Sequence, residues 1–147
     1  MTARSLPLDG PVVVEANALF SALLRDGTTR RLLLYGGVDL HTPGIIWREF
    51  ERNRAYLLKK SRATVAAFDL LLDALRDLIG EVPLALIGER MGEAEESLGG
   101  EDSLDAPYVA AAVALGAALW TQDKALRATA PVPVVSTEEL VAALGIS

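Results

Sequence analysis

Acidic residues lie where a predicted strand ends or a predicted helix begins: Glu15, Glu49, Asp105 and Asp123. Glu15 follows an apolar strand at 11–14, and Asp123 lies just beyond a strand that ends at Trp120. Converging carboxylates repel one another and raise each other's pKa unless a cation neutralises them. An all-oxygen ligand set is the one that Mg²⁺ and Mn²⁺ prefer. If the fold brings the acids together, they predict a site for a divalent metal.

The elements that must position these acids alternate between strand and helix. The spacing of apolar residues predicts strands at 11–14, 38–41, 83–87, 117–120 and 132–135. It predicts helices at 18–25, 29–35, 45–61, 65–79, 106–115, 124–127 and 137–144. We expect a turn at 42–44 and loop with a short helix at 89–102. Such alternation indicates a parallel sheet with helices on both faces and ligands at the carboxyl ends of the strands.

Each acid also has a plain structural interpretation. Glu15 can be an incidental surface residue at a strand end, and Glu49 a solvated helix residue. Asp105 and Asp123 directly precede predicted helices, and the free amides at a helix N-terminus favour Asp at such positions. Asn17 and Thr121 are predicted N-caps of the helices that follow them. The metal hypothesis therefore depends on the set of acids rather than on any one of them.

Composition limits the alternatives. The chain has 147 residues, which suits one domain spanning 1–147, and without Cys it can hold neither a disulfide nor a thiolate metal site. His41 is the single histidine, so a multi-His metal site is excluded. Trp47 and Trp120 are predicted to pack in the core. No apolar stretch is long enough for a membrane span, and we expect a cytoplasmic protein.

The net charge of −6 argues against broad electrostatic wrapping of nucleic acid. A local basic segment can still steer substrate phosphates, although a solvated helix face explains it equally well. It contains Arg48, Arg52, Arg54, Lys59, Lys60 and Arg62.

Four segments together resemble the motifs of PIN domains. Residues 12–24, VVVEANALFSALL, are similar to the opening motif, and 43–49 to the second, with Glu49 as its acid. Residues 105–112 and 119–126 resemble the third and fourth motifs. The resemblance implies a three-layer α/β/α, Rossmann-like fold with a central, mainly parallel sheet.

It also implies a metal-dependent ribonuclease that hydrolyses RNA phosphodiester bonds, with one or two Mg²⁺ or Mn²⁺ ions activating water. Glu15, Asp105 and Asp123 would hold metal, and Glu49 would complete the catalytic set. Asn17 and Thr121 would orient the carboxylates, with Asp102 as an auxiliary acid. The substrate-binding residues would be Arg48, Arg52 and Lys60.

Many small PIN proteins are VapC-type toxins, so the resemblance suggests an antitoxin protein as partner. The wide apolar stripe of helix 65–79 suggests a homodimer. One departure matters: the family's first acid is ordinarily Asp, and Glu15 carries an extra methylene. The alternative is a catalytically weakened PIN-like module that binds RNA or protein. A dinucleotide-binding domain is disfavoured because 15–18 contains no Gly.

Overall fold

The computed structural model describes residues 9–99 and 104–145. Asp102, expected above as an auxiliary acid, lies outside these ranges. The strands are β1 (Val12–Val14), β2 (Leu40–Pro43), β3 (Gly80–Val82), β4 (Ala118–Trp120) and β5 (Val134–Val135). They form one sheet in the order β3-β2-β1-β4-β5, and every pairing is parallel. The expected central, mainly parallel sheet is confirmed.

The helices of the described ranges cover the sheet on both faces. They are α1 (Ala16–Leu24), α2 (Thr28–Tyr35), α3 (Ile45–Arg52), α4 (Arg54–Ser61), α5 (Val65–Leu78), α6 (Leu84–Ser97), α7 (Ala106–Leu115), α8 (Lys124–Thr129) and α9 (Thr137–Leu144). None of these helices is both long and apolar enough to cross a bilayer.

Strand β1 lies at the centre of the sheet and is fully buried. Its alternate side chains point to opposite faces, as the pleat requires. Val12 and Val14 pack with helices α1 to α5 and α9, whereas Val13 packs with α6, α7 and α8. Two cores therefore sandwich the sheet, which gives three layers.

The prediction of core packing for both tryptophans is confirmed, since Trp47 and Trp120 are 3% and 1% exposed. Trp47 makes an edge contact with Phe50. The indole N–H of Trp120 donates to the hydroxyl of Thr137 over 3.0 Å. This bond satisfies the only polar group of the Trp120 side chain.

The prediction of a strand at 83–87 is wrong, and residues 89–97, predicted as loop with a short helix, are helical throughout. The strand is β3, and Pro83 is the N-cap of α6. A proline at a helix start loses nothing, because the first amides have no partner within the helix. Gly88 and Gly92 weaken the helical signal of the sequence. Ile87 and Ala94 nevertheless bury one face of α6 in the core shared with α7, and this packing decides the conformation.

Several further boundaries differ from the prediction. Residues 42 and 43, predicted to turn, belong to β2, where the Thr42 hydroxyl donates to the Val14 carbonyl over 3.0 Å. The predicted helix 45–61 is divided between α3 and α4 at Asn53. Both the backbone amide and the side-chain amide of Asn53 donate to the Glu49 carbonyl, at 3.0 and 2.9 Å, and so end α3.

The sheet has two short edges. β3 has three residues and carries the exposed Glu81, and Pro83 follows it. β5 has two residues, and Pro131 and Pro133 precede it. Proline cannot donate to a ladder, so neither edge offers a continuous row of hydrogen-bond donors and acceptors.

Candidate functional site

The carboxyl ends of β1 and β4 bring the first and last acids to the same edge of the sheet. The two strands are parallel neighbours in which Val14 pairs with Trp120. The amide of Glu15 then donates to the Trp120 carbonyl over 3.1 Å. The residues that follow each strand, Glu15 on one side and the 121–123 segment on the other, are thereby held side by side.

Glu15, Asp105 and Asp123 are each the N-cap of a different helix. Oε2 of Glu15 accepts from the amide of Asn17 at the start of α1, over 2.6 Å. Oδ1 of Asp123 accepts from the amide of Ala125 at the start of α8, over 2.8 Å. Asp105 begins α7. Helix N-termini stabilise negative charge, so these helix starts partly offset the charge of the acids.

The predicted N-cap roles of Asn17 and Thr121 are therefore wrong. β1 ends at Val14 and α1 begins at Ala16, so Glu15 is the one residue available as a cap. Asn17 supports the Glu15 carboxylate through its backbone amide, and its side chain is exposed. The buried Thr121 hydroxyl accepts from the Asp123 amide over 3.1 Å and fixes the backbone of that acid.

The three acids influence one another through their charges. Glu15 is only 4% exposed. Burial raises the pKa of Glu15, the hydrogen bond from Asn17 opposes this rise, and the charges of Asp105 and Asp123 add to it. Burial also raises the pKa of Asp105, and the charge of Asp123 raises it further. Like charges shift one another's pKa only across short distances, so these carboxylates lie in one another's field.

Tyr108 is a site residue that the sequence reasoning missed. Its side chain is buried, and burial raises its pKa above the ordinary value. The charges of Glu15, Glu49 and Asp105 raise the pKa further. Tyr108 lies one helical turn after Asp105 in α7, so the two project from neighbouring positions. An Asp at a helix start with a Tyr three residues later is the sequence signal that could have identified it.

Glu49 lies at the margin of this group. It is half-buried on α3, and its carboxylate pairs at 4.0 Å with Arg52, whose side chain is 71% exposed. Its charge reaches Tyr108, which is the link between Glu49 and the acid cluster. We therefore distinguish the three acids at helix starts from Glu49 at their rim.

The chemistry of the donors fits a hard divalent cation, because every donor is a carboxylate oxygen and the mutual repulsion would be relieved by positive charge. Within residues 9–99 and 104–145, however, no group of three or more acidic or histidine side chains has an arrangement that could hold a metal ion. Glu15 and Asp123 each direct one oxygen to a helix amide.

The predicted substrate-binding residues Arg48, Arg52 and Lys60 are all exposed. Arg52 pairs with Glu49, and the ammonium of Lys60 lies 5.7 Å from the ring centre of Tyr56. Arg48 lines a cavity beside α3 and α6. These three basic side chains thus have different neighbours and do not form one patch beside the acids.

A family model described as a PIN domain matches residues 13–145. The chain belongs to the PIN-domain family. The match begins within β1, spans all the other strands and helices described above, and includes Glu15, Glu49, Asp105 and Asp123. Membership in this family confirms the resemblance seen in the four sequence motifs.

Named relatives of this PIN domain are ribonucleases. It is 33% identical over 129 residues to VapC ribonuclease Mb0985 of Mycobacterium bovis, covering 84% of this chain and 98% of the relative. The same values hold for Ribonuclease VapC9 of Mycobacterium tuberculosis, strain H37Rv. Among solved structures it is similar to VapBC2 from Rickettsia felis, bound to a DNA fragment from their promoter. That likeness has a TM-score of 0.63 at 14% identity, covers 86% of this chain and 98% of the other, and shows the shared fold.

Proposed function

We propose that this PIN domain is a ribonuclease that depends on Mg²⁺ or Mn²⁺ and hydrolyses RNA phosphodiester bonds. Identity to relatives named as ribonucleases extends over most of both chains. The observation that carries the proposal is the electrostatic coupling of the carboxylates of Glu15, Asp105 and Asp123 at the carboxyl edge of the sheet. Such a cluster destabilises the empty site and favours a divalent cation.

Each residue of the site has a distinct role in this proposal. Glu15, Asp105 and Asp123 are the metal ligands, and a bound divalent ion would stabilise charge on the phosphate and make water more acidic. The amide of Asn17 and the hydroxyl of Thr121 hold two of these acids in place. Tyr108 keeps its proton, because its pKa is raised, and its phenol can donate a hydrogen bond within the cluster.

The test is cleavage of a labelled single-stranded RNA by protein freed of metal with EDTA and then supplied with Mg²⁺ or Mn²⁺. We expect Asp105→Asn and Asp123→Asn each to lower the rate by at least roughly a hundredfold, since each removes a metal ligand. Asp73→Asn and Asp77→Asn make the same change at exposed positions of α5 and serve as matched controls. Unchanged cleavage by both site variants would overturn the role assignments.

Glu15 decides between the enzyme and the weakened binding module. Its carboxylate is buried and holds the start of α1, so the longer side chain has a structural task besides metal binding. Calorimetric titration with Mn²⁺ measures the metal site directly. Binding by the wild type that Glu15→Gln removes supports the nuclease. Binding absent from the wild type but present in Glu15→Asp favours the module.

We also propose an antitoxin partner. An apolar cavity of about 650 Å³ lies between α3, α6 and the start of α7. Ile45 and Leu84 line it and are 49% and 78% exposed. Apolar surface of this kind marks a binding site. If the product of a neighbouring small gene inhibits cleavage, Leu84→Lys should weaken that inhibition. Equal inhibition of the variant would place the partner elsewhere.

A homodimer is the remaining proposal on partners, with the exposed side of α5 as its surface. Val65, Leu70 and Leu78 of this helix are 55%, 74% and 48% exposed. Light scattering coupled to size exclusion measures the mass in solution. A dimer that Leu70→Glu converts to a monomer supports this interface, and a monomeric wild type contradicts it.

The proposed localisation is the cytoplasm, because an enzyme that acts on RNA would find its substrate there.

A further inference from the structure

We propose that a polar cleft between α1, α2 and α9 binds the sugar-phosphate backbone of single-stranded RNA next to the bond that is cleaved, with Arg25 contacting a phosphate. This inference rests on the proposed ribonuclease function and names the part of the site that holds its substrate.

The cleft opens directly beside two of the acids. It has a volume of about 500 Å³, and its walls include Asn17 and Gln122. Asn17 lies two residues after Glu15, and Gln122 immediately precedes Asp123. A polynucleotide whose phosphate reaches the acid cluster must continue across the neighbouring surface. The cleft is such a surface on the α1 side of the sheet.

The walls of the cleft suit a sugar-phosphate chain. Hydroxyl groups come from both ends of the cleft, and a carboxamide comes from Asn17. The Asn17 side chain makes no hydrogen bond within the described ranges and is exposed. Backbone and ribose contacts in protein–nucleic acid complexes come largely from such groups together with Arg and Lys. The hydroxyl-bearing residues are Ser21, Thr28, Thr29 and Thr137.

Arg25 is the cation of this cleft. It is exposed at the end of α1, and among the described residues its side chain has no ion pair or hydrogen bond. The nearby Arg30 is different, because its Nε donates to the Ala22 carbonyl over 2.7 Å and so serves the end of the same helix. Arg25 is therefore available for a phosphate, whereas Arg30 has a structural task.

Glu138 determines how the RNA backbone is placed in the cleft. Its carboxylate accepts a hydrogen bond from the side-chain Nε2 of Gln122 over 3.0 Å. Oε1 of the same Gln122 side chain accepts from the backbone amide of Thr137 over 2.6 Å. A phosphate is repelled by this carboxylate and attracted by Arg25. A ribose hydroxyl, in contrast, can donate to a carboxylate. The phosphate is thus assigned to the Arg25 end of the cleft and the sugar to the Glu138 end.

The test measures binding of a fluorescent single-stranded RNA by anisotropy over a range of salt concentrations. Asp105→Asn is present throughout so that the RNA stays intact. Arg25→Gln should weaken binding roughly tenfold, as expected for one charged hydrogen bond. It should also reduce the slope of log K against log salt by about 0.7, the value for one phosphate contact on a single strand. Arg25→Lys should retain the slope.

Arg90→Gln is the matched control, because it removes one exposed cation from α6 on the opposite face of the sheet. Thermal melting of each variant establishes that it is folded. If Arg25→Gln behaves like Arg90→Gln while the wild type cleaves RNA, the cleft assignment is overturned and the nuclease proposal stands. If the wild type with Mg²⁺ or Mn²⁺ neither binds nor cleaves RNA, both are overturned.

Discussion

Replacing Glu15 by Gln should make the metal-free protein more stable at neutral pH. The side chain is 4% exposed, and the net effect of its surroundings is to raise its pKa, so the folded state disfavours its charge. Gln keeps an oxygen that can accept from the Asn17 amide, although the bond loses its charge-assisted part. Removing an unfavourable buried charge of this kind at a functional site typically adds about 1 kcal/mol to the free energy of unfolding. For a chain of this size that raises Tm by roughly 4 °C.

The pH dependence has a definite sign. Because the folded-state pKa of Glu15 lies above its ordinary value of 4.5, stability is lost progressively as the pH rises from 4.5 through the raised pKa. Well below pH 4.5 the carboxyl is protonated in both the folded and the unfolded state. The gain from Glu15→Gln should therefore be larger at pH 7.5 than at pH 4.

Thermal unfolding followed by circular dichroism in EDTA measures this effect. Glu96→Gln, an exposed change on α6, is the control. The double variant with Asp105→Asn should gain less than the sum of the two single variants, because both relieve the same repulsion. A lower Tm for Glu15→Gln at pH 7.5, or an equal gain at pH 4, would refute the electrostatic reasoning.

The remaining predictions concern Tyr108 and two glycines. Since the pKa of Tyr108 is raised above its ordinary value of 10.0, the wild type should lose stability as the pH rises above 10, and Tyr108→Phe should lose less. Denaturant unfolding at pH 9 and 11 measures this, and equal losses would contradict it. Gly116 ends α7 with a φ of +62° and open space around it, so Gly116→Ala should cost about 1 kcal/mol. Gly92→Ala, inside α6 and equally unobstructed, should instead stabilise by about 1 kcal/mol. Two Tm shifts of the same sign would refute the conformational explanation.

Sequence reasoning succeeded where local signals and burial agree. Helices α7 and α9 have the predicted bounds, since Gly ends each of them and Ser136 begins α9 with a capping box. The strand β3 was missed because an edge strand of three residues, two of them exposed, shows no apolar alternation. Helix α6 was missed because its stability comes from packing, which composition does not reveal.

The candidate site could be predicted as a set of residues but not as an arrangement. The rule that ligands gather at the carboxyl edge of a parallel sheet indicated Glu15 and Asp123. The sequence could not show that Glu15 is the N-cap of α1, because Glu is a poor N-cap in general. Tyr108 escaped notice because its spacing from Asp105 gains meaning only from the charges that surround it in the fold.

The two ends of the sheet restrict how this molecule can assemble with others. A strand with only two or three residues, bounded by proline, gives an incoming peptide too few hydrogen bonds to extend the sheet. Among the described residues, neither edge strand is therefore a good template for an added strand, which also disfavours fibrous aggregation. An assembly through the described surface would therefore rely on side chains of the helical layers, where single substitutions can change the choice of partner and leave the sheet and its acids intact.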